Sequence, residues 1–161
     1  MPTVRPVMSE LDKIYSAKIL ELAAGIPKAA RLEQPDATAT AHSKLCGSTV
    51  TVDIAMANGR ISDYAQTVKA CLLGQSAAAA VAHHIVGITA DEFRAVAASM
   101  RAMLKAGGAA PSGRWADLAA LQPVKDYKAR HASTLLVFDA VERALDQLDA
   151  KTTTTTTSAV A

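Results

Sequence analysis

The chain has 161 residues, of which 50% are hydrophobic and 4% aromatic, and its formal net charge is +2. This balance excludes an acidic disordered chain, and it lacks the clustered basic excess that is typical of nucleic-acid-binding proteins. No run of about 18 apolar residues is present, and the N-terminus lacks the apolar stretch of a signal peptide, so we expect a cytoplasmic protein that does not span a membrane. Two cysteines, Cys46 and Cys71, are too few for a disulfide-rich protein, and we expect both to be reduced.

The first half of the chain predicts a helix followed by a β-hairpin. Apolar residues at helical spacing predict a helix over 11–24, with Ser9 as its N-cap, and residues 34–44 are interpreted as a loop. Apolar and polar residues then alternate from 49 to 56, which predicts a half-buried strand. Asn58-Gly59 supplies the left-handed conformations of a tight turn, and 61–69 is the returning strand.

The second half predicts helices. Thr89 and Glu92 fit a capping box that opens one of them, and Ser133 is a candidate N-cap for the last. The predicted helices cover residues 75–86, 89–106, 115–121 and 134–148. This order predicts an α+β fold, in which helices cover one face of a small antiparallel sheet. We expect one domain over 1–150, followed by a disordered threonine-rich tail over 151–161.

The hairpin predicts that the two cysteines lie at the same end of the sheet. Cys46 precedes the first hairpin strand and Cys71 follows the second, and pairing around Asn58-Gly59 without a bulge puts residue 46 opposite residue 71. Cys71 also precedes a helix N-terminus, where backbone amides favour a thiolate. Free cysteines are often small buried core residues, and this simpler interpretation stays open for both.

Two thiols are an incomplete site for a soft metal, which prefers four ligands. The candidate additional ligands are His42, His83, His84 and His131. The adjacent pair in the alanine-rich helix points in directions about 100° apart, so we interpret it as a solvated helix face. The basic segment 125–130 is either a solvated charge run or a docking patch for an acidic partner.

Five segments resemble the iron–sulfur cluster assembly scaffolds of the IscU/SufU/NifU N-terminal family. Residues 11–20 (LDKIYSAKIL) resemble the first helix of that family, and residues 107–121 resemble an insertion of its SufU branch. Residues 36–48, 69–80 and 128–136 are similar to its three metal-ligand segments. The resemblance covers most of the chain, from residue 11 to about residue 148.

The family's ligand pattern is only partly present. Cys46 and Cys71 match two of its cysteines, whereas Ser48 stands where the family has an aspartate and Ser133 where it has the third cysteine. His131 lies two residues before that position, while IscU-type members place a histidine directly before the cysteine. We therefore hypothesise a reduced site of Cys46, Cys71 and His131, with Ser48 and Ser133 as degenerate ligand positions.

The resemblance implies a non-enzymatic role in iron–sulfur cluster assembly. The two cysteines would hold zinc or a nascent [2Fe–2S] cluster, or carry sulfur, and the partners would be a cysteine desulfurase and acceptor apoproteins. A second hypothesis is a degenerate homologue that serves as a protein-interaction or regulatory module. A third, an enzyme with a thiol nucleophile, would need a base such as His131 within reach of Cys71.

Overall fold

The computed structural model describes residues 16–44 and 47–160, with side chains as far as Lys151. Its helices are α1 (Ala17–Ala24), α2 (Leu72–His84), α3 (Ala90–Ala106) and α4 (His131–Val160), and its strands are β1 (Ala37–His42), β2 (Thr49–Ala57) and β3 (Arg60–Lys69). Two 3₁₀ segments, Gly113–Asp126 and Lys128–Arg130, lie between α3 and α4. Within these residues, no helix has the length and apolar character needed to cross a membrane.

The strands form one antiparallel sheet in the order β1-β2-β3, with helices packed on it and on one another, which confirms the predicted α+β fold. Buried alanines of β1 and buried apolar residues of β2 supply one face of this sheet. Helices α2 and α4 contact the sheet and each other. The core is therefore a single cluster that joins the hairpin to both helices.

Strand β1 corrects the prediction of a loop over 34–44. Residues 37–42 alternate alanine with a polar residue, and Ala37, Ala39 and Ala41 are buried. Alanine has low β-propensity, so the alternation was not interpreted as a strand. Pairing with β2 decides the conformation, because it satisfies the backbone and buries three methyl groups.

The predicted hairpin is confirmed, but it contains a bulge that the prediction assumed to be absent. Asn58 and Gly59 have φ of 54° and 77°, as a tight turn of this kind requires. A bulge between Ala55 and Met56 then moves the register by one residue, so that Thr49 pairs with Lys69. Residue 71 therefore falls opposite residue 47 rather than 46 when the register is continued.

Local capping explains where several helices begin. The Thr89 hydroxyl accepts from the Glu92 amide, and the Glu92 carboxylate accepts from the Thr89 amide, which confirms the predicted capping box. Helix α1 is capped by Ser16, while the predicted cap Ser9 lies outside the described residues. Helix α3 ends at Gly107 in the left-handed conformation, as its glycine predicts.

Helix α4 begins earlier than predicted and continues further. It starts at His131, so Ser133 lies in its first turn and is not its N-cap, which corrects that prediction. Its backbone continues through the threonine tract to Val160, although β-branched residues are weak helix formers. The side chains of 152–160 lie outside the described ones, and a disordered tail over 151–161 stays a prediction.

A buried carboxylate holds the segment before β1 against the sheet. Asp53 accepts two hydrogen bonds from Arg31, at 2.7 Å from Nε and 3.2 Å from Nη2. It also accepts from the Thr38 hydroxyl at 2.6 Å and from the Leu32 amide at 3.1 Å. Burial on its own would raise the pKa of Asp53, but the hydrogen bonds from Arg31, Thr38 and Leu32 hold the pKa below its ordinary value.

We expect Asp53→Asn to reduce the free energy of unfolding by about 1–3 kcal/mol at neutral pH, because hydrogen bonds to a buried carboxylate are lost. A carboxylate with a lowered pKa contributes stability that is complete above its unfolded pKa of about 3.9 and is lost as pH falls through the folded pKa. Urea unfolding between about pH 7 and pH 3 should therefore show a flatter acid limb in the variant than in the wild type. The control is Asp126→Asn, which changes an exposed carboxylate. An equal effect of both variants would contradict this role.

Candidate functional site

The candidate site lies at the end of the sheet where β2 begins and β3 ends. Cys71 is the N-cap of α2, two residues after the Thr49–Lys69 pair that closes the hairpin ladder. The loop between β1 and β2 turns at the same end, where the Ser43 amide donates to the Ser48 carbonyl at 2.8 Å. Cys46 belongs to this loop but lies outside the described residues. Its predicted approach to Cys71 therefore stays a prediction.

Cys71 meets Ser133 from the first turn of α4. The half-buried thiol donates to the Ser133 hydroxyl oxygen at an Sγ–Oγ distance of 3.4 Å, and the hydroxyl donates to the Arg130 carbonyl at 3.2 Å. The proton of Ser133 is thus directed away from the sulfur, which is the arrangement that suits a neutral thiol. If Cys71 were a thiolate, the Ser133 hydroxyl would turn and donate a hydrogen bond to the sulfur. The Arg130 carbonyl would still accept a hydrogen bond from the Thr134 hydroxyl at 2.8 Å.

Gly74 makes this contact sterically feasible, and the sequence interpretation missed it. A Cβ at Gly74 would lie 2.7 Å from the Ala70 Cβ and 3.0 Å from the Ser133 carbonyl oxygen. A side chain at Gly74 would therefore clash with Ala70 and would also crowd the backbone of α4 at Ser133. Gln75 supports the same turn by donating from Nε2 to the Ala70 carbonyl at 2.9 Å. A lone glycine beside two leucines did not by itself indicate a helix contact.

His131 has a structural task in the protein. Its Nε2 lies 3.0 Å from the Val124 carbonyl oxygen and 3.1 Å from the Lys125 carbonyl oxygen, so this nitrogen carries a proton and donates to both. The buried ring thereby joins the end of the longer 3₁₀ segment to the start of α4. Only Nδ1 is left as a metal-binding atom, unless these two hydrogen bonds break.

The other candidate residues fall into two groups. Ser48 is buried at the same end of the sheet as Cys71. His42 ends β1, where its Nδ1 lies 2.9 Å from the Thr49 hydroxyl. His83 and His84 lie at the far end of α2, so the structure does not place them beside Cys71.

The histidine pair is more than a solvated face, which corrects that interpretation. The exposed His83 has its Nε2 2.9 Å from the Gly25 carbonyl, which ties α2 to the end of α1. The half-buried His84 has its Nε2 3.1 Å from Asp117, and Lys18 approaches the same carboxylate at 3.2 Å. Hydrogen bonds from His84 and Lys18 lower the pKa of Asp117. These contacts join α1, α2 and the longer 3₁₀ segment.

Residues 16–44 and 47–160 contain no group of three or more histidine, cysteine or acidic residues arranged to hold a metal ion. Among the described residues at this end of the sheet, the Cys71 thiol is soft and the Ser48 and Ser133 hydroxyls are hard, while the hydrogen bonds of His131 go to Val124 and Lys125 rather than to Cys71. A soft metal would need Cys46 in addition to Cys71.

The basic segment 125–130 flanks the start of α4. Lys125 and Lys128 are exposed and Arg130 is half-buried, and none of them forms an ion pair with another described residue. Lys128 and the exposed Lys105 line a shallow cavity together with His131. The cavity beside His131 therefore carries a positive rim.

The chain is similar to several solved structures. A crystal structure of the N-terminal part of a nitrogen-fixing NifU-like protein from Brucella abortus is 52% identical, with a TM-score of 0.86 over 89% of this chain and 99% of that one. A candidate iron–sulfur cluster assembly scaffold for the SUF system from Fervidobacterium islandicum is 21% identical, with a TM-score of 0.75 over 82% and 96% of the two chains. A hypothetical protein is 17% identical, with a TM-score of 0.70 over 80% and 96%, and these last two show the fold alone. No protein-family model and no curated protein matches the chain.

We expect Gly74→Ala to destabilise the protein by about 1 kcal/mol, because steric strain of about 1–3 kcal/mol outweighs a gain of about 1 kcal/mol in helix propensity. In a Cys46→Ser background, a thiol reagent should also react faster with Cys71, since the added methyl group pushes α2 away from Ser133. Urea unfolding and the reaction rate measure the two effects. Gly25→Ala is the control, because its Cβ would make only contacts of 3.5 Å or more. Unchanged Cys71 reactivity in Gly74→Ala would contradict the close approach.

Proposed function

Because the chain belongs to the IscU/SufU/NifU scaffold family, we propose that it acts as a scaffold in iron–sulfur cluster assembly. In this proposal Cys46 and Cys71 hold a metal ion or a nascent cluster, or carry sulfur. The observation that carries it is the contact of 3.4 Å between Cys71 and Ser133. It brings together, at one end of the sheet, two of the positions that the family resemblance assigns to cluster ligands.

The donor atoms suit a cluster or a metal that is passed on. Thiolates are the preferred ligands of zinc and of iron–sulfur clusters, whereas a serine hydroxyl is hard and stays protonated near neutral pH. Two thiolates leave a tetrahedral site short of two donors. The free Nδ1 of His131 or an exogenous thiol would supply a third, which gives a site that is open on one side.

Sulfur transfer would use the same thiols without a metal. A Cys71 thiolate would attack the outer sulfur of a donor persulfide, so that the donor's S–S bond breaks while a new S–S bond forms at Cys71. The donor leaves as a thiolate, and no net oxidation or reduction takes place. Before this attack, the Ser133 hydroxyl would donate a hydrogen bond to the attacking thiolate, because its oxygen lies 3.4 Å from Cys71 Sγ.

The partners in this proposal are a cysteine desulfurase, which supplies the sulfur, and acceptor apoproteins. The exposed Lys125 and Lys128 and the half-buried Arg130 favour an acidic docking surface on one of them. We propose a cytoplasmic protein that does not bind nucleic acid or membranes and is not itself an enzyme.

A second candidate function is a protein-interaction or regulatory module that has kept the fold without binding clusters. The observation that favours it is the hydrogen-bonded series from the Cys71 thiol through Ser133 to the Arg130 carbonyl. Each donor in that series already has an acceptor, so the described half of the site is satisfied without a metal. The two candidates therefore differ in whether the thiols bind a metal or carry sulfur.

We expect the wild type to bind about one zinc ion per chain, and to show thiolate-to-iron absorption after reconstitution with iron and sulfide. Cys46→Ser and Cys71→Ser should each lose most of this binding, and His131→Ala should lose less. Metal analysis after gel filtration and the visible spectrum measure it. His83→Ala is the control, because His83 lies at the far end of α2. A wild type that binds no more metal than either cysteine variant would overturn metal and cluster binding, and would leave sulfur transfer and the second candidate.

We expect Ser133→Cys to bind zinc at least roughly tenfold more tightly than the wild type, because a third soft ligand replaces a hard one at 3.4 Å from Cys71. Competition with a chromophoric chelator under reducing conditions measures the affinity. Ser99→Cys adds a thiol on α3 at a half-buried position and is the matched control. If both variants bind zinc as the wild type does, Ser133 is not at a ligand position.

A further inference from the structure

The two edges of the sheet are closed in different ways. The edge of β3 is covered by main chain, since the Ala30 amide donates to the Gln66 carbonyl at 3.1 Å. At the other end of β3, the Ile61 amide donates to the Ile88 carbonyl and the Ile61 carbonyl accepts from the Gly87 amide, both at 2.8 Å. Strand β1 forms the opposite edge of the sheet, where side chains rather than main chain bind the outward backbone carbonyls.

The outward groups of β1 follow from its pairing with β2. The Ser43 amide donates to the Ser48 carbonyl, and this pair continues the β1–β2 register. Hydrogen-bonded and non-hydrogen-bonded pairs alternate along an antiparallel ladder. The backbone groups of Ala37, Ala39 and Ala41 therefore face β2. Those of Thr38, Thr40 and His42 face the free edge, where another strand could bind them.

Two cations of α4 occupy carbonyls along this edge. Arg143 donates from Nη1 to the Thr40 carbonyl at 2.8 Å, and Lys151 donates from Nζ to the Asp36 carbonyl at 2.6 Å. Eight helical residues span about 12 Å, and four strand residues span about 13 Å. The spacing of the two cations on α4 thus matches the spacing of the two carbonyls.

We propose that Arg143 and Lys151 guard the β1 edge against strand pairing with a second copy of this chain. Strand β1 has no Lys, Arg, Asp or Glu of its own between Ala37 and His42. Side chains of that kind are what commonly prevent edge-to-edge pairing. Arg143 and Lys151 place positive charge from α4 at this edge. They also hydrogen-bond carbonyls that an incoming strand would need.

A second copy fits this edge because the edge is complementary to itself. In an antiparallel pair centred on Thr40, that residue faces Thr40 of the second copy, and Thr38 faces His42. Thr40 already contacts the Thr51 hydroxyl at 2.9 Å on the outer face of the sheet. The pairing would continue this row of hydroxyls and bury no charge.

Sedimentation experiments on the double variant Arg143→Ala/Lys151→Ala and on the wild type test this proposal, because the measured mass reports self-association. We expect self-association roughly tenfold stronger than in the wild type, since the outward carbonyls become free to pair. Amide hydrogen exchange should show new protection at Thr38 and Thr40. Adding Thr40→Pro should reverse the association, because proline removes an outward amide while the ladder to β2 keeps its bonds.

The control variant is Lys28→Ala/Lys125→Ala, which changes the net charge equally away from β1. The guard role is overturned if the double variant keeps the wild-type mass, if the control associates to the same extent, or if Thr40→Pro fails to reverse the association. Should the double variant fail to fold, Lys151→Ala alone is measured with the same outcomes. None of these readouts depends on metal or sulfur binding, so the guard role and the proposed function fail independently.

Discussion

The approach of two helix starts at Gly74 is the constraint on which the candidate site depends. Helix α2 leaves the hairpin at Cys71 and must pass the first turn of α4 within van der Waals distance of its backbone. The hairpin register, the start of α4 at His131 and the packing of both helices on the sheet all meet at this point. The chemistry of Cys71 is therefore decided by a backbone contact as much as by its own side chain.

In the proposed function, Ser133 stands at the position of a third ligand but offers a hard hydroxyl instead of a soft thiol. Its oxygen accepts a hydrogen bond from the Cys71 thiol, and its hydroxyl donates one to the Arg130 carbonyl. His131 is engaged in a comparable way, since its Nε2 donates hydrogen bonds to the carbonyls of Val124 and Lys125. Metal binding here would have to compete with hydrogen bonds that already stabilise the fold, and such competition favours release of what is bound.

Features that follow local rules could be predicted from the sequence, and those that depend on distant contacts could not. The turn at Asn58 and the capping box at Thr89 are set by neighbouring residues, and both are confirmed. Half of strand β1 is alanine, which is a weak strand former, so pairing with β2 is needed to decide its conformation. The bulge before Met56 and the carbonyl bonds of His131 leave no pattern in the sequence. The resemblance indicates candidate site residues, whereas the contact of Cys71 with Ser133 could be found only in the fold.

The alanine-rich helix α2 has a consequence for how the protein tolerates mutation. Its buried residues include Ala77, Ala78, Ala79 and Ala80, so that it is enclosed on several sides with little side-chain volume. Truncating an alanine to glycine costs about 0.5–1 kcal/mol, while enlarging a packed residue costs about 1–3 kcal/mol. Damage along this helix would therefore come from overpacking rather than from cavities. We expect only small residues to be tolerated at these buried positions, which gives one structural reason for a chain with 35 alanines.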